Sequence, residues 1–372
     1  MNLEKAKIAL VFDWMTNRGG AEKVNLFLHE MFPRAPIYTS IFNEKAFPEI
    51  KKSQVTTSFI QGLPFAKTKH QIYISLMPYA YELFDLSKFD IVISSSHACS
   101  KGIITKPETL HICYCHTPMR YAWDNWHSYI NEYKMNAVLK YFGKRKLHRL
   151  RMWDRLSADR VDKFIANSSI TQKRIQKYYG RESTIINPMI KHRDFKIAEK
   201  HKNYFLAVGR LTPYKRFDLI VDTFNELELP LKIVGTGISQ EDLMKKAKDN
   251  IEFLGHVSDD ELKTLYSECE ALIFPQVEDF GITAIETMAS GRPVIALGEG
   301  GALDSIIPNK TGIFFKKQTV PQLKKAVEHY QEAKGKFNKQ FIRDHAHDFD
   351  EKVFEKELMN FIEKSWETFS AT

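Results

Sequence analysis

Short apolar, β-branched runs alternate with helix-like stretches along nearly the whole chain. Runs at Ile8–Phe12, Ile91–Ser94, Leu110–Cys115 and Lys163–Ala166 predict strands, as do Tyr204–Val208, Leu231–Val234, Ile251–Leu254, Ala271–Phe274 and Pro293–Leu297. Several are apolar throughout, as parallel strands covered on both faces are expected to be. Between them Ala21–Met31, Thr171–Tyr179, Asp218–Leu227, Asp260–Cys269 and Val320–Gln331 carry helical patterning. Repeated strand–helix units predict doubly wound α/β sheets. The pattern turns polar around Asn187 to Lys202 and restarts at Tyr204-Phe-Leu-Ala-Val-Gly209. A linker is expected there, between one Rossmann-like domain over 1–190 and a second over 203–349. From Asp350 to Phe369, Phe354, Leu358, Phe361 and Ile362 recur at helical spacing. This predicts a C-terminal helix over 350–372, packing back toward the N-terminal domain. Ligands of open sheets gather beyond the carboxyl ends of the strands, so two facing sheets would enclose an interdomain cleft.

A length of 372 residues suits two domains, and 43% hydrophobic with 27% charged residues is the balance of a soluble globular chain. There is no low-complexity tract or fixed-period repeat. The run Ile8–Phe12 is too short for a signal peptide's apolar region, and no stretch approaches the ~20 apolar residues of a membrane span. A cytoplasmic location is therefore expected. Cys113 and Cys115, two apart on one predicted strand, share a face. Buried reduced thiols are the simpler reading there, with a metal site as the alternative. The net charge of +8 admits nucleic acid, an anionic membrane or phosphorylated substrates as partners.

The densest candidate chemistry follows Ala271–Phe274: Pro275-Gln-Val-Glu278-Asp-Phe-Gly281-Ile-Thr-Ala-Ile-Glu286. Phe280-Gly281 reads as a turn and Ile282 to Ala289 as a helix, whose unpaired N–H groups and partial positive charge suit a phosphate. Glu286 lies one turn into that helix, where a carboxylate can accept from two adjacent ribose hydroxyls. Glu278 can do the same for a sugar. On spacing alone, two surface glutamates around an ordinary loop are the simpler reading.

The Glu-x7-Glu run, with Phe-Gly inside it and Ala289-Ser-Gly291-Arg-Pro293-Val-Ile-Ala after it, resembles the group 1 (family 4) retaining glycosyltransferases of GT-B fold. The resemblance extends to Ala207-Val-Gly209-Arg210-Leu-Thr-Pro-Tyr-Lys215-Arg-Phe-Asp218, Ile233-Val-Gly235-Thr-Gly237, Phe253-Leu-Gly255-His-Val257 and Gly298-Glu-Gly300-Gly301-Ala. It implies that Arg210 and Lys215 clamp a donor diphosphate and Glu286 binds the ribose. Glu278 would bind the transferred sugar, beside the backbone of Phe280, Gly281, Ile282 and Thr283. No divalent metal or other cofactor is implied; the donor is a nucleotide diphosphate sugar. Gly235-Thr-Gly237 is only a partial dinucleotide fingerprint, because Gln240 replaces its third glycine. A tight turn, closing over the base as in the family, is the simpler reading.

In the first half, Gly19 and Gly20 open a helix as in family members, which implies amides meeting the leaving phosphate or the acceptor. Cys115-His116-Thr-Pro118-Met-Arg120-Tyr121-Ala-Trp123-Asp124 resembles a subset that includes mannosyltransferases of bacterial O-antigen and capsule assembly. It implies His116 beside the donor sugar, with Arg120 and Tyr121 as further contacts. His97, in Ser94-Ser-Ser-His97-Ala-Cys-Ser-Lys101-Gly102, is a candidate for acceptor or donor contacts. Where many relatives carry two prolines and an Asp, this chain has Asn187-Pro188-Met189-Ile190-Lys191.

Tyr129 to Arg155 holds eight Lys and Arg against two acids, a balance of +6, with Tyr141, Phe142, Leu147, Leu150, Met152 and Trp153 interleaved. Such composition suits an anionic membrane surface, and Phe65 to Tyr73 has a similar cast; a solvated helix face is the alternative. No recognition motif for nucleic acid accompanies the charge, so none is expected as a partner.

The expected activity is transfer of a hexose, with mannose from GDP-mannose favoured over a UDP-sugar. The expected acceptor is a saccharide linked to a polyprenyl diphosphate, met by a peripheral protein on the inner face of the cytoplasmic membrane. The rivals are another GT-B enzyme such as an epimerase, and a basic binding protein with a vestigial sugar-nucleotide site.

Overall fold

The computed structural model describes residues 5–124, 126 and 137–371. The chain divides into two units, 1–187 together with 355–372, and 188–354. Each is built on one parallel sheet, as the apolar strand runs require.

The first unit's sheet contains β1 (Ile8–Phe12), β2 (Ile37–Thr39), β3 (Val55–Thr57), β4 (Ile91–Ser96), β5 (Leu110–Cys115), β6 (Lys163–Ala166) and β7 (Ser183–Ile185), in the spatial order β3-β2-β1-β4-β5-β6-β7. β1, β4 and β5 are almost wholly buried, which explains their unbroken apolar runs. The short β2, β3 and β7 escape the sequence pattern because three residues carry little periodicity. The strand order reverses between β1 and β4, where open α/β sheets place their ligands.

The second unit contains β8 (Phe205–Val208), β9 (Leu231–Val234), β10 (Ile251–Gly255), β11 (Leu272–Phe274), β12 (Val294–Leu297) and β13 (Gly312–Phe315), in the order β10-β9-β8-β11-β12-β13. Its reversal falls between β8 and β11. Two apolar clusters cover the faces of the sheet, one around Phe274, Ile285 and Met288, the other around Phe205, Phe224 and Tyr330.

Three expected segments take more particular forms. The polar stretch 187–202 is anchored to the second unit by residues 188–195, and its remainder is mostly exposed. Ile190 N–H donates to Phe349 O at 2.9 Å, Glu351 N–H donates to Ile190 O at 3.0 Å, and Phe195 is buried. The C-terminal helix, Glu351–Ser370, contributes its first turn to the second unit and the remainder to the first. The helix expected over Thr171–Tyr179 is α-helical at Ser169–Arg174 and passes into a π turn at Ile175–Tyr179, ended by Gly180 at φ 63°.

Candidate functional site

In the second unit the site residues come from the loops after β8 and β11. The first loop closes a short 3-10 turn, Pro213–Lys215, and leaves Arg210 exposed with no ion pair among the described residues. Lys215 reaches across to Glu278 and pairs with its Oε1; the two side chains are 16% and 17% exposed. The sequence assigned these two to separate halves of the donor, whereas the fold joins them directly. Arg216, beside them, serves the fold. Its guanidinium grips Asp218 at 3.1 Å and donates to Gln318 Oε1 at 3.1 Å.

Gly281 sits at φ 100°, a conformation that penalises a side chain, and a Cβ there would lie 2.8 Å from the Phe274 ring. It turns the chain into the helix Ile282–Ala289, where Ala284 N–H donates back to Gly281 O at 3.0 Å. The Phe280 side chain is sunk in the core, so only its backbone faces the site. Thr283 is half-buried, and its carbonyl accepts from Thr287 Oγ1 at 2.8 Å. Glu286 is 5% exposed, and Tyr266 donates its hydroxyl to Glu286 Oε2 at 2.9 Å.

Gly235 and Gly237 have a packing role. A Cβ on Gly235 would meet Gly209 O at 1.9 Å and one on Gly237 would meet Leu211 O at 2.3 Å. The backbone of the loop holding Arg210 therefore lies directly on this turn, and Leu211 N–H donates to Thr236 O at 3.0 Å.

In the first unit, Asp13, His97 and His116 are the first residues beyond β1, β4 and β5. The buried Asp13 carboxylate accepts N–H bonds from His97, Ala98, Cys99 and Ser100 at 2.7, 2.8, 2.9 and 2.8 Å. It thereby fixes the turn after β4, and His97 Nδ1 lies 3.2 Å from Asp13 Oδ2. The His97 and His116 rings are 6.4 Å apart, and Trp14 stands between His97, at 4.9 Å, and His70, at 4.6 Å. His116 Nε2 is 2.8 Å from Ser95 Oγ. Burial, and then His97, push the His116 pKa down to about 3, so at neutral pH its ring is an uncharged hydrogen-bonding group. Gly19 and Gly20 lie exposed at the start of the helix Gly20–Met31, and Gly19 is extended at φ −148°. Arg120 and Tyr121 are half-buried in the turn beyond His116.

The basic stretch forms the helix Ala137–Ser157; residues 129–136 lie outside the described residues. Leu147, Leu150, Asp154 and Ser157 form its buried face. Trp153 packs on the core, where its N–H donates to Glu82 at 2.8 Å. This corrects the reading of Leu147, Leu150 and Trp153 as interface residues, because helical spacing of three and four turns them inward. Tyr141, Phe142 and Met152 remain exposed beside Lys144, Arg145, Lys146 and Arg149. Asp154 pairs with the buried Lys101 and accepts from Trp123 Nε1 at 2.7 Å and Tyr179 OH at 2.8 Å. Arg151 donates to Ala122 O at 2.5 Å, so the helix also holds the loop after His116. Cys113 and Cys115 lie buried in one apolar cluster with free thiols. Among the described residues no helix is long and apolar enough to cross a membrane.

Sequence reasoning missed Asp13, Tyr266 and Asp154. Asp13 stood next to a recognised glycine loop, which was the available signal. Tyr266 and Asp154 carry no local motif, since their partners are 20 and 53 residues away.

Known structures share this architecture. The sucrose-phosphate synthase of Thermosynechococcus elongatus superposes with a TM-score of 0.74 at 14% identity, covering 98% of this chain and 100% of that one. The HepE protein of Anabaena, crystallised with UDP, gives 0.70 at 16%, covering 96% and 100%. The fold is that of the GT-B glycosyltransferases. Residues 189–347 match the family of glycosyl transferases group 1, and residues 18–192 match glycosyltransferase family 4. The chain belongs to the group 1 (family 4) glycosyltransferases. An O-antigen chain mannosyltransferase of Salmonella typhimurium is 31% identical over 153 residues, 38% of this chain and 43% of that protein. O-antigen chain mannosyltransferase C of Escherichia coli is 26% identical over 170 residues, 40% and 45% respectively. The matched stretches thus span less than half the length of these relatives.

Proposed function

We propose that this chain transfers a hexose, with retention, from a nucleotide diphosphate sugar to a saccharide acceptor. The convergence of Arg210, Lys215, Glu278 and Glu286 on adjacent loops and one helix of the second unit carries this reading. Arg210, Lys215 and the N-terminus of Ile282–Ala289 meet the diphosphate, and these charges make a metal unnecessary. Glu286 holds the ribose, and Glu278 holds the sugar, with the backbone of Phe280 to Thr283 alongside. His116, uncharged, accepts or donates to a sugar hydroxyl. Gly19 and Gly20 offer amides, and His97, Arg120 and Tyr121 contribute contacts to acceptor or sugar. The bond from the anomeric carbon to phosphate breaks as the bond to the acceptor oxygen forms on the same face. The acceptor's proton passes to the departing phosphate, which leaves as nucleoside diphosphate.

Mannose from GDP-mannose is the proposed donor group, supported by the mannosyltransferase relatives, with a UDP-sugar as alternative. The acceptor is proposed to be linked to a polyprenyl diphosphate and met at the inner face of the cytoplasmic membrane. The basic helix supports this placement. Lys144, Arg145, Lys146 and Arg149 have no ion pair among the described residues, and with Trp126, His148 and Arg151 three of them line a cavity of about 380 Å³. Each cation near an anionic surface contributes about 1 kcal/mol.

Calorimetry with GDP- and UDP-sugars tests the donor reading; failure of all of them to bind would remove it. Co-sedimentation with anionic against neutral vesicles tests the surface. Neutralising Lys144, Arg145, Lys146 and Arg149 together should release the protein without changing nucleotide affinity. Unaltered vesicle binding would place the contact elsewhere.

A further inference from the structure

Glu286 poses a physical problem that the donor reading leaves open. It is a carboxylate at 5% exposure on a helix packed into the apolar cluster around Phe274, Ile285 and Met288. A buried carboxylate is costly unless hydrogen bonds compensate it. Its side chain has three rotatable bonds, so without a partner it would not present its oxygens in one direction.

One partner comes from the neighbouring helix, Asp259–Glu268. Ser258 caps that helix by accepting from Glu261 N–H, and Leu265 and Tyr266 are its buried residues. Tyr266 is 1% exposed, and its ring lies 6.4 Å from that of Phe195. Its phenol therefore has a fixed position, and its hydroxyl reaches Glu286 Oε2 at 2.9 Å. Burial, and then the Glu286 charge, hold the phenol's pKa well above the ordinary value, so it remains a proton donor.

Resting on the proposed donor reading, we infer that Tyr266 is a positioning residue for the ribose. It holds one oxygen of Glu286 so that the carboxylate meets the 2′ and 3′ hydroxyls of the nucleotide. A carboxylate offers about four acceptor positions, and the bond to Tyr266 occupies one of them. Tyr266 does not touch the nucleotide. It acts through Glu286 alone, and its effect is confined to nucleotides that carry a ribose diol.

That confinement gives the test. GDP and UDP are each titrated against their 2′,3′-dideoxy counterparts in the wild-type protein, in Tyr266→Phe and in Glu286→Ala. Wild type is expected to prefer the ribonucleotide by at least about tenfold. Tyr266→Phe keeps the ring and its packing. It should lower ribonucleotide affinity about tenfold and leave the dideoxy affinity within about twofold. In the Glu286→Ala background the same change should cost ribonucleotide affinity nothing further. An equal loss for both nucleotides would make Tyr266 a packing residue only and overturn the inference, as would an undiminished ribose preference in Tyr266→Phe. If the wild type binds no ribonucleotide at all, the donor reading itself falls. If it binds both kinds equally, the Glu286 assignment falls and the role of Tyr266 with it.

Discussion

In the first unit the polar groups above the sheet are sunk into it; in the second they stand at its edge. Asp13, Lys101, Asp154 and His116 are all buried, each held by partners supplied by other strands or helices. Of the four donor-site candidates in the second unit, Arg210 is exposed, Lys215 and Glu278 are partly exposed, and Glu286 is buried. Buried polar groups tie a site to the integrity of its fold, whereas edge charges can be removed at little structural cost. Substitutions in the two regions should therefore fail in different ways.

The largest expected effect tests the edge charges. The Arg210→Ala, Lys215→Ala double variant should lose roughly 3–6 kcal/mol of donor affinity with its unfolding midpoint nearly unchanged. Removing Lys215 also leaves Glu278 without its counter-ion, facing a diphosphate. Calorimetry and thermal melts on the same sample read both quantities. Retained affinity, or a collapsed melting temperature, would dissolve the contrast.

A comparable effect, spread over three residues, concerns acid. Burial pushes His116 down to a pKa of about 3, and His70 and His111 down to about 4, all in the first unit. Since the unfolded chain binds these protons near pH 6.5, their stabilising contribution is complete above that pH. It is lost as pH falls toward 3–4, at roughly 2 kcal/mol for each histidine by pH 5. Among the histidines of the second unit only His192 is depressed, also by burial. All five tryptophans, Trp14, Trp123, Trp126, Trp153 and Trp366, belong to the first unit, so their fluorescence reports on it alone. Urea midpoints by tryptophan emission should drop between pH 7.5 and pH 5 by more than the loss of hydrogen-exchange protection in β8–β13. The reverse order would contradict the assignment of the acid-sensitive groups.

The smallest effect sharpens the role of one charge. Glu278→Gln removes the carboxylate that occupies Lys215. Nucleoside diphosphate should then bind more tightly by about 0.5–1 kcal/mol, while turnover falls because the sugar loses a strong acceptor. Glu286→Ala, by contrast, should weaken the nucleotide itself. Equal weakening by both substitutions would show that the two glutamates do not divide the donor.

The long parallel strands were legible because burial on both faces leaves unbroken apolar runs, as in Ile8–Phe12 and Leu110–Cys115. The second unit's candidate site left a local signature for a related reason. Gly281, Gly235 and Gly237 mark places where no side chain fits, and Arg210, Lys215, Glu278 and Glu286 fall in local sequence around them. Such constraints act over a few residues, so a sequence records them as spacing.

What only the tertiary structure decided is which groups meet. Pairing of Lys215 with Glu278 spans 63 residues, that of Tyr266 with Glu286 spans 20, and the grip of Asp13 on the turn at His97 spans 84. Leu147, Leu150 and Trp153 turned inward from a basic run for the same reason. A helix face acquires its environment from whatever the fold lays against it, and no local pattern of charge and aromatic residues records that neighbour.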